Sequence, residues 1–366
     1  MIHVAGRLLE NLRADRRRPP LAQLDAIGDG ERFAWSILPY AARTFSFCIA
    51  LLPRRTARPL AVAYLYCRML DTCEDLPRDA AAKEAALRAF VDRFEAGDAG
   101  ADAPGPAPVL SADLARDERD RVYLLLLARA DRVDRFFLLL PAPQRAIILR
   151  LVRRMGEGML WAVRTFAAQG GALDGQQQLA RYCFEVLGNP MLFAEEMQRL
   201  EMRLDPEVGA ERRALAAEVG EAIQLANVAR DLEKDCDAGV FYLRALMEAP
   251  AAERPAAIAA ARLALLRRAV VVGRSFRPYM AGIPSPRVSL ARGAGLLMAL
   301  FTLAFWQGTA RRLALPIFPD ELRVTRMRAL RMVARSVSSR RGNDVVLAQI
   351  ERSFGEAAAR LADPRT

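Results

Sequence analysis

Apolar residues recur at intervals of three and four along most of this chain of 366 residues. Leu87, Phe90, Val91 and Phe94 show the spacing, which places their side chains on one face of an α-helix. Alternating polar and apolar runs of strand length are scarce. Because 53% of the residues are hydrophobic, the chain can bury a sizeable core. We therefore predict an all-α protein.

Segments rich in Gly, Pro or Asp separate the helical stretches. These breakers are residues 97–108, 169–175, 250–255 and 283–286. No internal repeat and no shift in composition divides the chain, so we expect one helical domain. Residues 357–366 are expected to form a fraying tail.

The chain contains one histidine, His3. This excludes Ser-His-Asp and Cys-His catalysis and any histidine-rich metal site. Acid, base or metal chemistry must therefore fall to carboxylates, tyrosine, cysteine or a metal-bound pyrophosphate.

The formal net charge is +11, and Lys83 and Lys234 are the only lysines. Such a charge fits nucleic acid, a membrane surface or an anionic substrate, or reflects the arginine usage of a GC-rich genome. The arginines are spread along the whole chain, and the runs 16–18 and 340–341 lack interleaved aromatic residues. We therefore expect no nucleic-acid partner.

Five cysteines, an odd number without a Cys-x-x-Cys pair, favour a reducing compartment. Residues 1–7 place charge where a secretory signal would be apolar, so we predict a cytoplasmic protein. Residues 293–310 are uncharged and approach the length of a membrane span. Their Gly, Thr and Gln content favours a helix buried in a soluble core.

A first acidic group lies in an otherwise apolar helical stretch. Asp71, Glu74 and Asp75 share one helix face, where like charges repel. A divalent cation would remove this cost, because Mg²⁺ takes one or two carboxylates together with water and substrate phosphate. Taken alone, the motif is weak evidence for a metal site and is better explained by a solvated acidic face.

A second group of oxygen-bearing side chains favours the metal site over the solvated acidic face. Asn227, Asp231 and Asp235 follow one another at intervals of four, with Arg230 beside them. Two such faces on helices far apart in sequence can face each other across a bundle and hold Mg²⁺ and a pyrophosphate. Three arginines could clamp the phosphate oxygens: Arg43, Arg68 and Arg230. A pyrophosphate held in this way can leave as a stabilised anion and leave an allylic cation behind.

At these residues the chain resembles the squalene/phytoene synthase family, and within it the squalene synthase branch. The segments that carry the resemblance are 43–45, 64–75, 153–159 (Arg-Arg-Met-Gly-Glu-Gly-Met), 182–183, 224–235 and 298–303. Their order agrees with the family pattern from about residue 35 to about residue 340.

The resemblance implies a single-domain isoprenoid synthase-type helical bundle with a central cavity. It implies an N-terminal extension at 1–34, partly flexible, the family domain at 35–345, and a C-terminal helix and tail at 346–366. It further implies a monomer that condenses two farnesyl diphosphates head to head, through presqualene diphosphate, to squalene or a related C30 product. The cofactors would be Mg²⁺ and, where reduction occurs, NADPH.

The resemblance also assigns roles to residues. The metal ligands would be Asp71, Glu74, Asp75, Asn227, Asp231 and Asp235. The diphosphate would be held by Arg43, Thr44, Arg68, Gln224 and Arg230. Tyr64 and Tyr182 match the two cavity tyrosines, which remove a proton and stabilise a cation. The NADPH segment is only roughly echoed, by Arg323 and Arg326.

Several positions depart from the family pattern, mostly in the second half. Lys234 stands where Glu is usual, Val240 stands where a phosphate-binding Arg is expected, and Pro190 would bend a helix that lines the cavity. Ala42 lacks the hydroxyl of the family serine. Three interpretations stay open: a divergent squalene synthase, an enzyme that stops at presqualene or dehydrosqualene or uses another prenyl acceptor, and a non-catalytic isoprenoid-binding subunit.

The sequence ends at Thr366 without the C-terminal membrane anchor of animal and fungal members of the branch. We therefore expect a cytosolic protein whose basic, apolar-rimmed face touches the membrane peripherally.

Overall fold

The computed structural model describes residues 2–14, 18–95, 104–205, 207–283, 290–318, 324–337 and 339–362. Regular structure in these ranges is helical, apart from one isolated parallel bridge between Ala172 and Phe241. The predicted all-α class is confirmed.

The α-helices lie at α1 Ile2–Ala14, α2 Leu21–Asp25, α3 Gly30–Ala42, α4 Thr44–Leu51, α5 Arg54–Asp75, α6 Ala80–Asp92, α7 Glu118–Ala128, α8 Ala130–Leu138, α9 Ala142–Ala168, α10 Gly175–Cys183, α11 Asn189–Met202, α12 Ala210–Asp237, α13 Arg244–Glu248, α14 Arg254–Val272, α15 Phe276–Ala281, α16 Leu290–Arg312, α17 Arg326–Val337 and α18 Arg340–Ala362. Short 3₁₀ turns lie at Ala112–Leu114, Ala251–Glu253 and Gly273–Ser275, and a π-helical turn lies at Phe184–Gly188.

The helices group into two compact units. The first unit comprises Met1–Arg164 and Phe193–Glu207, and the second comprises Thr165–Leu192 and Val208–Thr366. The domain boundaries expected at residues 34 and 345 stay a prediction. Each unit carries one of the two predicted acidic helices.

In the first unit, α5 packs against α3, α6, α7 and α8. Tyr66 of α5 is fully buried, and its ring centroid lies 5.1 Å from that of Phe94 and 5.8 Å from that of Phe137. Its hydroxyl donates to Asp134 Oδ1 over 2.8 Å, while Arg93 Nη2 donates to Asp134 Oδ2 over 2.5 Å. A buried charge pair of this kind is tolerated because its oxygens receive hydrogen bonds.

Gly156 explains part of the Arg-Arg-Met-Gly-Glu-Gly-Met segment. It lies in α9, and a Cβ atom there would stand 2.4 Å from Val91 Cγ2 of α6. A side chain would therefore force the two helices apart. The glycine is required for packing.

In the second unit, α12 packs against α14 and the π-helical turn. A Cβ atom at Gly220 of α12 would lie 2.8 Å from the backbone nitrogen of Gly188, so the close approach needs glycine. Pro190 follows as the second residue of α11. Because proline lacks the N–H for a regular helical bond, the wider π turn next to it suits the sequence.

Helix α16 is long and apolar enough to cross a membrane by length and composition alone. Leu296, Leu300, Leu303 and Trp306 of this helix are completely buried in the structure, whereas Phe301 and Phe305 are half-buried. A buried core helix passes the same test of composition, so this finding is weak evidence for a span.

The expected fraying from residue 357 onward is wrong for residues 357–362, because α18 continues to Ala362. Phe354 and Ala357 are fully buried, and the Phe354 ring fills the space beside Gly273. Arg360 Nη1 also donates to the Pro316 carbonyl over 2.7 Å. Residues 357–362 are Ala, Arg and Leu, all strong helix formers, and packing adds to this propensity at the helix end. The final residues 363–366 lie outside the described ranges.

Candidate active site

The first candidate face lies on α5 in the first unit. Tyr64, Arg68, Asp71 and Asp75 follow at intervals of four, three and four, which places them on one side of the helix. Tyr64, Arg68 and Asp71 are half-buried and Asp75 is exposed. The opposite side of α5 is buried, so core packing fixes the direction in which these polar side chains point. Glu74 is half-buried on the same last turn.

Arg68 is the centre of this face. Its Nη1 lies 3.1 Å from Asp71 Oδ2, and its Nη2 donates to Tyr64 Oη over 3.3 Å. The guanidinium also lies 4.8 Å from the centroid of the Tyr123 ring. Its buried Nε has no hydrogen-bond partner among the described residues. The Arg68 guanidinium as a whole is half-buried, a setting that strengthens charge-assisted hydrogen bonds to an anion such as a phosphate oxygen.

Burial raises the pKa of Asp71 to about 6, with Arg68 opposing and the charge of Asp75 adding to the shift. The charge of Arg68 therefore does not fully offset the burial of the Asp71 carboxylate, and a further cation would stabilise its ionised form. Burial also raises the pKa of Tyr64, against the lowering effect of Arg68. At neutral pH the Tyr64 phenol keeps its proton.

Arg43 and Thr44 lie at the junction of α3 and α4. Arg43 has φ 47° and ψ −105°, a conformation that L-residues rarely adopt, and its carbonyl accepts from Ser46 Oγ over 2.5 Å. Both side chains are exposed, and Thr44 is the first residue of α4. The junction thus combines an arginine with a helix N-terminus, where backbone N–H groups favour anions. Phe45 follows, with its ring centroid 5.6 Å from that of Tyr64.

The second candidate face lies on α12 in the second unit. Asn227, Asp231 and Asp235 lie half-buried along it, and Gln224 is buried one turn earlier. Asn227 Nδ2 donates to Gln224 Oε1 over 3.1 Å, which fixes the orientation of the amide. The oxygen stripe predicted from spacing is therefore present on the helix.

Arg230 contacts two members of the stripe. Its Nη1 donates to Asn227 Oδ1 over 3.0 Å, and its fork reaches both carboxylate oxygens of Asp231 at 3.0 and 2.6 Å. About half of the Arg230 side chain is exposed. An exposed pair of this kind contributes little stability and can exchange partners when a ligand arrives.

Tyr182 is buried in an aromatic cluster with Phe166 and Tyr242. Tyr242 Oη donates to Asp235 Oδ2 over 3.1 Å and lies 3.4 Å from Tyr182 Oη. Tyr242 is not among the site residues that the sequence predicts. The signal available was an aromatic pair, Phe241 and Tyr242, in the turn after the second acidic motif.

The departures Lys234 and Val240 lie around the same helix end. Lys234 is exposed. Val240 donates its backbone N–H to the Asp235 carbonyl over 2.8 Å, but its side chain supplies no cation. Of the residues associated with NADPH, Arg323 lies outside the described ranges, as does the Arg326 side chain.

The donor set fits magnesium held jointly with a phosphate ligand. In the described part of the chain, no three Asp, Glu, His or Cys side chains cluster closely enough to hold a metal by themselves. Each face instead offers two carboxylates one turn apart, Asp71 with Asp75 and Asp231 with Asp235. Mg²⁺ takes one or two carboxylates and completes its shell with water and substrate phosphate. Since burial raises the pKa of Asp71, a bound cation beside it would stabilise its ionised form.

Comparison with known proteins gives one family. The sequence pattern of squalene/phytoene synthase matches residues 38–328. Squalene synthase of Schizosaccharomyces pombe is 27% identical over 228 residues, which cover 60% of this chain and 45% of that protein. Probable squalene synthase of Neurospora crassa is 28% identical over 222 residues, covering 60% and 42%. The matches thus span less than half the length of these curated relatives.

Two further relatives are informative. Squalene synthase BSS of Botryococcus braunii is 30% identical over 157 residues, which cover 43% of this chain and 30% of that protein. The solved structure of TcSQS in complex with the ligand BPH1237 superposes with a TM-score of 0.67 at 18% identity. It covers 91% of this chain and 98% of that chain, and it shows a shared fold.

Proposed function

Since this chain belongs to the squalene/phytoene synthase family, we propose that it is a Mg²⁺-dependent prenyltransferase acting on farnesyl diphosphate. The proposed reaction joins two farnesyl groups head to head through presqualene diphosphate, to squalene or a related C30 product. The observation that carries the proposal is the repeated arrangement of two carboxylates one turn apart beside an arginine, once on α5 and once on α12.

In this proposal, Asp71 and Asp75 on α5 would hold Mg²⁺, as would Asn227, Asp231 and Asp235 on α12. When bound, it neutralises the diphosphate and makes pyrophosphate a better leaving group. Arg68 on α5 and Arg230 on α12 would each donate forked N–H groups to a phosphate group, and Arg43 and Thr44 would add donors at the start of α4. Histidine has no part in this chemistry.

The tyrosines act next to the ionising groups. The Tyr64 phenol is protonated at neutral pH and lies against Arg68, so it can donate a hydrogen bond towards an anion there. Tyr182 presents a buried aromatic ring, whose face can stabilise a positive charge that develops on a prenyl chain. Forming the cyclopropane of presqualene diphosphate releases one pyrophosphate and one proton, and a phenol can pass that proton on.

A second candidate function shares the first ionisation and differs in the product. The enzyme would stop at presqualene or dehydrosqualene, or transfer the prenyl group to another acceptor. Val240, which stands where the family pattern has an arginine, supports this alternative because one expected phosphate contact is missing. The intact carboxylates support either enzyme over a non-catalytic isoprenoid-binding subunit, since an inactive protein need not keep such costly groups half-buried.

The test is pyrophosphate release from farnesyl diphosphate with Mg²⁺. We expect release by the native protein and none by an Asp71→Asn/Asp231→Asn variant, while Asp131→Asn, an exposed change on α8, keeps native activity. No release from the native protein would refute both enzyme proposals.

Lipid products formed with and without NADPH then separate the two enzymes. Squalene formed only with NADPH supports the first. Presqualene diphosphate or a dehydro product under both conditions supports the second. Absence of any C30 product alongside pyrophosphate release would point to another acceptor.

We also propose a monomer located in the cytoplasm that contacts the membrane peripherally. The net charge of +11 and the apolar product expected of the reaction support this proposal. Sedimentation with anionic vesicles in low salt tests it, and a protein that stays entirely in the supernatant contradicts it.

A further inference from the structure

Three aromatic rings of the second unit pack together behind the α12 face. The centroids of Tyr182 and Tyr242 lie 5.2 Å apart, and each lies 6.1 Å from the centroid of Phe166. Phe166 meets both tyrosines edge-on, the arrangement that aromatic quadrupoles favour. Both tyrosines are only 7% exposed. Tyr242 is therefore a fixed part of the interior.

The backbone around Tyr242 is fixed by a short parallel bridge. Phe241 donates its N–H to the Gly171 carbonyl over 2.8 Å, and Leu173 donates to the Phe241 carbonyl over 3.0 Å. A Cβ atom at Gly171, which has φ 97°, would lie 2.4 Å from the Gly239 carbonyl oxygen. The two segments can approach this closely because residue 171 is glycine.

One side-chain pair joins the same two segments, and a second contact ties Phe241 to the start of α14. Arg244 forms an ion pair with Asp174, and the guanidinium of Arg254 lies 5.6 Å from the centroid of the Phe241 ring. Tyr242 lies between these contacts in sequence. Its hydroxyl therefore has a defined position relative to α12.

That hydroxyl joins two groups of the proposed mechanism. It donates to Asp235 Oδ2 over 3.1 Å and lies 3.4 Å from Tyr182 Oη. The same helix also carries Asp231, whose oxygens are both occupied by the Arg230 guanidinium. Tyr242, in contrast, is a neutral donor, so it orients the Asp235 carboxylate without cancelling its charge.

We propose that Tyr242 is a positioning residue for the reaction, which orients the Asp235 carboxylate towards a bound cation and aligns the Tyr182 phenol with it. This inference rests on the proposed function. Hydrogen bonds from neighbouring groups to metal-binding carboxylates commonly change metal affinity or activity about 10- to 100-fold. Tyr242 thereby connects the α12 face to Tyr182 of α10.

The test is Tyr242→Phe, which removes one oxygen and leaves the ring packing in place. The matched control is Tyr279→Phe, since Tyr279 is a buried tyrosine of the same unit that packs on Arg212. Circular dichroism should show folded proteins in both cases. Binding of Mn²⁺ with inorganic pyrophosphate, measured by electron paramagnetic resonance, should weaken about 10-fold in Y242F. The control should bind as the native protein does.

A kinetic cycle provides the second measurement. We expect Y242F to lower kcat for pyrophosphate release about 10-fold with a smaller change in KM for farnesyl diphosphate. The double variant with Tyr182→Phe should be no slower than the slower single variant, because both changes break the same hydrogen-bonded chain. Additive effects of the two changes would overturn the proposed alignment.

The outcomes separate this inference from the proposed function. If the native protein releases no pyrophosphate, the proposed function fails, and Mn²⁺–pyrophosphate binding alone then decides the role of Tyr242. If the native protein is active and Y242F matches it in Mn²⁺ binding and kcat, the inference is refuted while the proposed function stands.

Discussion

Arg230 makes a bidentate interaction with Asp231, in which Nε donates to Oδ1 over 3.0 Å and Nη2 donates to Oδ2 over 2.6 Å. The two residues are neighbours on α12, and the pair is substantially exposed. In the proposed function the arginine binds diphosphate and the carboxylate binds Mg²⁺. The pair then represents the ligand-free arrangement of both groups, in which each partly neutralises the other until the ligand replaces it.

The first prediction concerns the paired N–H donors of the Arg230 guanidinium. Arg230→Lys keeps the charge but loses the paired N–H geometry, so KM for farnesyl diphosphate should rise about 10-fold. Steady-state kinetics at saturating Mg²⁺ measures this. The matched control is Arg262→Lys, whose partner Glu233 lies on α12 outside the oxygen stripe. An equal rise in KM for both variants would show that the fork has no particular role.

The second prediction concerns the buried charge pair of the first unit. The side chains of Arg93 and Asp134 are 2% and 6% exposed. Asp134→Asn leaves Arg93 without its counter-charge, so the free energy of unfolding should fall by about 3–5 kcal/mol. Urea denaturation measures the loss. Asp131→Asn on the same helix breaks only an exposed pair with Arg135 and should change stability by less than about 1 kcal/mol.

The third prediction concerns Gly156. Gly156→Ala should destabilise the protein by about 1–3 kcal/mol, because the new methyl group overlaps Val91. Adding Val91→Ala should recover part of this loss, which a double-mutant cycle of unfolding free energies would detect. Gly355→Ala in α18 is the control, since a Cβ atom there meets nothing within 4 Å. That change should stabilise the helix by up to about 1 kcal/mol. Independent effects at Gly156 and Val91 would contradict the packing explanation.

The fourth prediction concerns the five cysteines, all of which are buried and free of disulfides. Burial raises the pKa of Cys48 and that of Cys73 to about 12. Since a raised thiol pKa lowers the thiolate fraction at pH 8, the folded protein should react very slowly with Ellman's reagent. Five thiols should be titrated after unfolding in urea. Rapid reaction of the folded protein at pH 8 would refute this account.

Much of the site could be predicted because helix geometry is local. The spacing of Asp71 and Asp75, and that of Asn227, Asp231 and Asp235, puts each set on one face of a helix whatever the helix packs against. The all-α class follows from the same periodicity and was confirmed. The family, too, was recognised from the order of these local motifs, and the match at residues 38–328 confirmed it.

Other features depend on contacts between distant parts of the chain. The contacts of Tyr242 could not be predicted from the sequence, because the bridge between Ala172 and Phe241 brings its hydroxyl to Asp235 and Tyr182. Likewise, the Ala-rich sequence at 357–362 favours a helix, but the contacts that dock its end, Phe354 beside Gly273 and Arg360 with Pro316, join distant parts of the chain.

The sequence by itself determined which residues are available for the proposed chemistry: carboxylates, an amide, arginines and tyrosines at helical spacing, in a chain with one histidine. Tertiary structure alone decided how those groups are held, with Arg68 against Asp71 and Tyr64, and Tyr242 against Asp235. The physical reason is the distance along the chain over which each interaction acts. Helical periodicity arises from neighbours three or four residues apart, whereas burial and orientation depend on segments that meet only when the chain folds.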